Sequence, residues 1–267
     1  MFKTRLITAL CLIPIVFWGL FFLHGLSFQL FTGLVVVLGA WEWSSLAGMR
    51  DLRDRCAYVA VIGGSLVLLS LLSSVQVWLL LPGVLFWLIA AYWVVRYPQA
   101  QGWHTRRFMT LIGWWVLVPL WVAMVWLNAV ANFASWLIYL LFLVWGADTG
   151  AYLAGKRFGK TKLAPQVSPG KTLEGAAGAF LTVSLLAVVF SSLSILPLSF
   201  ASLWVLSMPI VLVSILGDLL ESMCKRAVGV KDSGKLLPGH GGILDRIDSL
   251  CAALPCYVFA IWMLGWV

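Results

Sequence analysis

The chain has 267 residues, of which 62% are hydrophobic and only 10% are charged, and its formal net charge is +8. Soluble domains carry about 25% charged residues, so this composition excludes a soluble globular protein, and the mean hydropathy of +1.00 indicates an integral membrane protein. Nucleic-acid binding is a poor explanation of the positive charge, because the basic residues lie in short connections between apolar segments.

Apolar segments that could cross a bilayer follow one another along the whole chain. A membrane helix needs roughly 20 mainly apolar residues, and this criterion predicts about nine spans. Strand-like alternation is absent and lipid does not tolerate open sheet edges, so the predicted fold is all-α and polytopic. The predicted spans cover about 6–24, 27–47, 57–75, 77–95, 109–127, 133–151, 172–192, 200–224 and 250–267.

The first apolar segment, MFKTRLITALCLIPIVFWGLFF, resembles a signal peptide. No small-residue cleavage site follows it and another apolar segment begins at once, so we interpret it as a retained first span. The 5 cysteines contain no CxxC pair, which indicates neither a disulfide framework nor a zinc site.

Basic residues lie on one side of the predicted membrane. With nine spans, all 18 Lys and Arg fall at the N-terminal side, and the alternate connections near 25, 76, 130 and 197 contain none. Short loops rich in Lys and Arg usually lie on the cytoplasmic side of a membrane. We therefore expect a bacterial inner (plasma) membrane protein with its N-terminus and active site at the cytoplasmic face. The five basic groups lie within 3–5, 50–55, 96–107, 156–171 and 225–246.

The two halves of the chain differ in polarity. Residues 1–135 contain about five predicted spans and short loops, and we interpret them as an N-terminal membrane scaffold. Residues 136–267 contain about four spans and two polar loops, and we interpret them as the catalytic membrane domain. Glu42, between Trp41 and Trp43, is either a carboxylate at the lipid headgroups, which is the interpretation we favour, or an intramembrane acid with a function.

Acidic residues gather where spans six, eight and nine reach the cytoplasmic side. Asp148 ends span six, Asp218 and Glu221 end span eight, and Asp245 and Asp248 begin span nine. Residues three apart share a helix face, and Mg²⁺ takes one or two carboxylates together with substrate phosphate oxygens. The alternative is that these acids pair with nearby basic residues or are favoured by the helix dipole.

Two glycine-containing segments suggest phosphate binding. In Pro238-Gly239-His240-Gly241-Gly242, backbone N–H groups could receive phosphate oxygens, and His240 could orient a phosphate or carry a proton; the alternative is a flexible loop. The segment SPGKTLEG fails as a P-loop, because Pro165 occupies the position of a required glycine. It instead predicts a helix capped by Ser168, with Lys171 reaching a phosphate.

The polar segments resemble those of phosphatidate cytidylyltransferases, also called CDP-diacylglycerol synthases. The resemblance rests on SMCKRAVGVKDSGKLLPGHGGILDRID at 222–248 and on DTGAYLAGKRFGKTKLAPQVSPGKTLEG at 148–175. It implies that CTP and phosphatidic acid react to give CDP-diacylglycerol and pyrophosphate in phospholipid biosynthesis. It implies a magnesium cofactor, leaves a second cation open, and is compatible with a homodimer.

Residue roles follow from the resemblance and the charge pattern together. We predict metal ligation by Asp218, Asp245 and Glu221. Catalytic roles are predicted for Asp218, Asp245, Asp248, His240, Lys225 and Arg226. Substrate binding is predicted for Lys171, Lys231, Ser168, Asp148, Gly241, Gly242 and Arg246.

Two other functions fit the sequence less well. A CDP-alcohol phosphotransferase should show DGxxAR followed by GxxxDxxxD, and the chain contains neither motif. A transporter would distribute acids at mid-depth through several spans and often shows internal repeats. Here nearly all acids lie at one face, which favours the enzyme.

Overall fold

The computed structural model describes the backbone of residues 2–72 and 76–267, and the side chains of residues 6–72 and 77–267. Helices form most of the described chain, together with one short hairpin and a single 3₁₀ turn at Gln76–Leu79. The helices are α1 Phe2–Phe21, α2 Gly25–Leu46, α3 Leu52–Leu71, α4 Leu80–Val95, α5 Arg106–Asn128, α6 Phe133–Phe158, α7 Leu173–Ser192, α8 Phe200–Ala227 and α9 Leu244–Met263.

The prediction of an all-α polytopic membrane protein is confirmed. Within the described residues, 8 helical segments are long and apolar enough to cross a bilayer, and they correspond to the second to ninth predicted spans. The first predicted span is α1, whose apolar part over the described side chains, Leu6–Phe21, is shorter. Helices α3 and α9 begin several residues before the predicted spans 57–75 and 250–267. Each begins within polar sequence, at Leu52 and at Leu244.

A two-stranded hairpin precedes α7 and was not predicted. Strand β1 Lys162–Ala164 pairs antiparallel with β2 Ser168–Thr172. Ser168 is therefore a strand residue, and the prediction that it caps a helix is wrong. Thr172 is the N-cap instead, since its hydroxyl accepts the backbone N–H of Gly175 at 3.0 Å.

The helices pack around one continuous apolar core. Helix α6 packs along α7, α8 packs along α9, and α5 lies between α2 and α9. Buried apolar residues form one continuous cluster in space, which extends from Phe28 in α2 to Ile261 in α9. The two predicted halves thus share a core through α5 and α9, although their division into scaffold and catalytic domain remains a prediction.

Helices α6 and α7 approach closely because small residues line their contact. A Cβ built on Gly178 would lie 2.6 Å from the carbonyl oxygen of Gly150 and against the methyl of Ala154. Such contacts are shorter than van der Waals packing allows, so the two backbones can meet only at glycine. This contact places the end of α6 beside the hairpin.

One end of the bundle, called the site end here, is where α8 ends and α9 begins. The ends of α2, α4 and α6 lie at the same side, as do the starts of α3, α5 and α7, because adjacent helices run antiparallel. Helix α1 also reaches this end, since the Thr8 hydroxyl donates to the carbonyl oxygen of Pro238 at 2.9 Å.

Candidate active site

The predicted site residues come together at the site end. They are contributed by the end of α6, strand β2, the last turns of α8, the first turn of α9, and the loop 228–243, called the signature loop here. Long polar segments far apart in sequence therefore share one surface of an otherwise apolar bundle.

Asp218 forms the half-exposed part of the site. Its Oδ2 lies 2.6 Å from Nζ of Lys171, with the two side chains 29% and 26% exposed. The Ser222 hydroxyl donates to Oδ1 at 3.2 Å. Asp148, within α6, lies close enough to interact electrostatically with both Lys171 and Asp218. The structure thus joins two predicted substrate-binding residues to a predicted metal ligand.

Lys225 forms the buried part of the site. Its ammonium lies 2.7 Å from Oδ1 of Asp245 and 3.5 Å from Oε1 of Glu221. The side chains of Lys225, Asp245 and Glu221 are only 9%, 8% and 4% exposed. Charges this deeply buried are tolerated only when they are paired, so Lys225 is required to hold these two acids together.

Asp245 closes the signature loop onto the start of α9. Its Oδ2 accepts the Ser233 N–H at 2.9 Å, the Ser233 hydroxyl at 3.0 Å and the Gly242 N–H at 2.8 Å. The Gly242 N–H, which we predicted to receive a phosphate oxygen, is therefore directed at a carboxylate of the protein. Asp245 organises the loop as well as being a predicted ligand.

Glu221 is the least satisfied acid of the site. Within the described part of the chain, neither of its carboxylate oxygens has a hydrogen-bond partner. It lines a small cavity of about 10 Å³ together with Asp248 and Trp87, a volume that suits one water molecule. Asp248 accepts the N–H of Ser249 at 2.7 Å.

The fit of these residues to a metal follows from their chemistry. Across residues 6–72 and 77–267, no three His, Cys, Asp or Glu side chains form a complete metal-binding group. Magnesium does not require one, because it usually combines one or two carboxylates with waters and substrate phosphates. Asp218 and Glu221 offer hard oxygen donors, and the Glu221 carboxylate, which accepts no hydrogen bond in the described structure and is balanced by Lys225 at 3.5 Å, suits a cation.

The signature loop encloses a polar cavity of about 600 Å³. This volume lies within the range of about 300–1,000 Å³ that small-molecule sites occupy. Lys231, Lys235, His240 and Arg246 line it. The predicted tight turn is confirmed, with φ of 78° at Gly239 and 85° at Gly241.

Two arginine side chains donate hydrogen bonds to backbone carbonyl groups. The Arg226 guanidinium donates to the carbonyl of Val230 at 3.2 Å and to that of Val167 at 3.4 Å. Arg226 therefore links the hairpin to the signature loop, which suits a positioning role better than the catalytic one we predicted. Arg246 donates to the carbonyl of His240 at 2.8 Å and stiffens the turn.

Glu42 belongs to this site, and sequence reasoning missed its position. Its side chain is 2% exposed, so the interpretation as a headgroup-level carboxylate is wrong. Its Oε2 accepts the N–H of Leu244 at 2.9 Å and the hydroxyl of Ser233 at 3.3 Å. The available signal was an acid within an apolar helix, which commonly marks a function, but its partners are about two hundred residues away.

Comparisons with known proteins show which family the chain belongs to. A protein called phosphatidate cytidylyltransferase from Pseudomonas aeruginosa is 46% identical over 100% of this chain and 99% of its own length. Proteins of the same name from Haemophilus influenzae and Brucella suis are 38% and 33% identical, and the matches cover 97% and 94% of this chain and 98% and 90% of theirs. The family model of the cytidylyltransferase family matches residues 3–264, which include every element of the site. With agreement over almost its full length, the chain belongs to the cytidylyltransferase family.

Proposed function

We propose that the protein transfers the cytidylyl group of CTP to phosphatidic acid, giving CDP-diacylglycerol and pyrophosphate. The observation that carries this proposal is a polar cavity lined by cations, at the end of a bundle whose other surfaces are apolar. A lipid phosphate and a nucleotide can meet only where membrane and water adjoin. The name shared by the relatives supports the same reaction.

The chemistry requires little beyond positioning and charge. A phosphate oxygen of phosphatidic acid attacks the α-phosphorus of CTP, the bond from that phosphorus to the bridging oxygen breaks, and pyrophosphate leaves. The attacking oxygen is already anionic, so the step needs no general base. Both reactants are polyanions, and in this proposal Lys171, Lys231 and Arg246 would offset their repulsion and the charge on the leaving group.

We propose that Mg²⁺ binds at Asp218, Glu221 and Asp245, with a second cation left open. The support is the pair of Glu221 oxygens, which accept no hydrogen bond in the described structure and have Lys225 as a charged neighbour at 3.5 Å, together with the partly exposed Asp218 carboxylate. Asp245 uses Oδ2 for three donors and Oδ1 for the Lys225 ammonium, so an ion at Asp245 would have to share Oδ1 with Lys225 or replace it. When bound, the ion would supply positive charge next to the phosphates.

The location and the assembly are further parts of the proposal. We propose that the site faces the cytoplasm from a bacterial inner membrane, where CTP is available. The support is the segregation of all 18 Lys and Arg to one side of the predicted spans. The homodimer expected from the sequence is tested by light scattering of the detergent-solubilised protein.

Incorporation of labelled nucleotide tests the reaction. Purified protein is mixed with phosphatidic acid in micelles and with CTP radiolabelled at its α-phosphorus. The label should appear in the lipid, and the released pyrophosphate should carry none. Chelation of divalent cations should stop the reaction, and added Mg²⁺ should restore it. An Asp218→Asn variant serves as the negative control. Label that never enters the lipid, or that enters without phosphatidic acid, would contradict the proposal.

A further inference from the structure

Glu42 connects the N-terminal half of the chain to the signature loop. It lies in α2, its side chain is 2% exposed, and all its hydrogen bonds in the described structure go to Ser233 and Leu244. We infer that Glu42 is a positioning residue that caps α9 and holds the signature loop in the shape that binds CTP. Its effect on kinetics rests on the proposed function, whereas its effect on the loop does not.

Helix α9 lacks a cap of its own. Its N-cap residue, Ile243, has no side-chain hydrogen bond to offer, although the first N–H groups of a helix have no partner within the helix. Glu42 Oε2 accepts one of them, from Leu244, at 2.9 Å. A carboxylate is also the charge that a helix N-terminus favours. A residue of α2 thus supplies what the local sequence of α9 omits.

Ser233 ties Glu42 to Asp245. Its hydroxyl lies 3.3 Å from Oε2 of Glu42 and 3.0 Å from Oδ2 of Asp245. A serine hydroxyl has one hydrogen to donate, so the two carboxylates share it. Ser233 is 6% exposed, and water is therefore not a ready substitute. The loop is fixed between one acid of α2 and one of α9.

Two glycines of the signature loop are explained by the same carboxylate. A Cβ built on Gly234 would lie 2.6 Å from Cδ of Glu42, and one built on Gly242 would lie 2.7 Å from it. Neither glycine needs a positive φ. Close approach of the Glu42 carboxylate, joined at Gly242 by the Ser233 hydroxyl, rather than backbone conformation, therefore favours glycine at these positions.

The loop held in this way carries the lining of the polar cavity. Lys231, Lys235 and His240 lie between or beside the residues that contact Glu42 and Asp245. A loosened loop would separate these cations from one another. We therefore expect loss of Glu42 to weaken the use of CTP, while phosphatidic acid, whose acyl chains contact apolar helices, is less affected.

Hydrogen exchange tests the contact without reference to activity. In Glu42→Ala, the amides of 240–248 should exchange at least about tenfold faster than in the parent, as expected when a buried donor loses its acceptor. Glu42→Gln keeps an acceptor oxygen and should exchange like the parent. Asp54→Asn, an acid that pairs with Arg106 at the start of α5, is the matched control and should leave 240–248 unchanged. Unchanged exchange in Glu42→Ala would overturn the inference.

Steady-state kinetics test the consequence for CTP. Glu42→Ala should raise the KM for CTP about tenfold, with less than about a twofold change in the KM for phosphatidic acid, and Glu42→Gln should restore both. Gly234→Ala should be equally harmful alone but add nothing in the Glu42→Ala background, because its clash is with that side chain. Equal losses for both substrates, or simple additivity, would reject a positioning role.

Ser233→Ala keeps the test decisive if Glu42→Ala does not fold. It removes the shared hydroxyl and leaves the bond from Leu244 to Glu42 in place. Faster exchange at 231–235 with a raised KM for CTP would support the inference. Parent-like exchange at 231–235 in Ser233→Ala would overturn it, and if the chain lacks cytidylyltransferase activity the exchange results still decide.

Discussion

Lysines that look equivalent in the sequence occupy different environments in the structure. Lys225 is buried between Asp245 and Glu221, whereas Lys231 lies at the exposed rim of the polar cavity. Removing one member of a buried ion pair leaves the other charge uncompensated, at a cost of about 3–5 kcal/mol. An exposed cation carries no such cost.

We therefore expect Lys225→Gln and Lys231→Gln to differ in kind. Lys225→Gln should lower the melting temperature in detergent by several degrees and abolish activity. Lys231→Gln should melt like the parent while its kcat/KM for CTP falls, because a phosphate-binding charge is lost. Melting curves beside kinetics with CTP varied provide the measurement. Parent-like melting of Lys225→Gln would show that Asp245 and Glu221 do not depend on it.

Two of the three carboxylates that we predict to bind metal, Asp218 and Asp245, should also differ in their effect on stability. Asp218→Asn and Asp245→Asn should each retain less than about a tenth of the activity, which corresponds to about 1.4 kcal/mol or more. Only Asp245→Asn should also lose stability, because its Oδ2 holds three donors of the signature loop. Activity assays and melting curves of both variants check this. Substantial activity in either one would remove it from the proposed ligands.

At the scale of elements, the contact between α6 and α7 positions the hairpin, so that Lys171 in β2 lies next to Asp218. Gly178 touches the backbone of α6 at Gly150, and no larger residue fits there. In contrast, Gly63 in α3 has open space around its Cβ position. These two helical glycines form a matched pair.

Gly178→Ala should destabilise the protein and Gly63→Ala should not. Overpacking typically costs about 1–3 kcal/mol, while alanine in an open helical position is favoured by about 1 kcal/mol over glycine. Thermal melts in one detergent compare the two variants directly. If Gly178→Ala melts at the parent temperature, the close contact of α6 and α7 is not a requirement of the fold.

Elements were predictable where hydropathy alone defines them. Eight apolar spans were found because each exceeds the length that a bilayer requires. The hairpin was missed because strands of 3 and 5 residues containing Pro169 and Gly170 show no alternation. The partners of Glu42 were missed for a different reason. Its polar contacts lie in the signature loop and α9, and a single sequence carries no information on which distant residues meet.

At the scale of the whole molecule, charge and packing agree on one polar end. The ion pairs and hydrogen bonds that join distant elements at Lys171, Lys225, Arg226 and Glu42 all lie where the basic loops were predicted. The fold thus gathers these contacts at one end of the bundle. The orientation of that end across the membrane stays a prediction, which cellular labelling can test.

Cysteine labelling should report the two ends from opposite sides. After Cys11 and Cys56, the exposed cysteines, are replaced by serine, Leu193→Cys should react with an impermeant reagent from outside the inner membrane. Asp51→Cys, in the loop before α3, is the matched control and should react only once the membrane is opened. The reverse pattern would invert the topology and the proposed cytoplasmic site.

The hydrogen bond from Thr8 to Pro238 has a practical consequence for how the protein is produced. Because Thr8, near the start of α1, contacts the turn of the signature loop, an affinity tag or fluorescent fusion at the N-terminus would lie beside the polar cavity that we propose binds CTP. Helix α9 instead ends at Met263, on the opposite side of the bundle. Purification handles and surface-immobilisation chemistry therefore belong at the C-terminus, where a bulky fusion leaves the route taken by CTP clear.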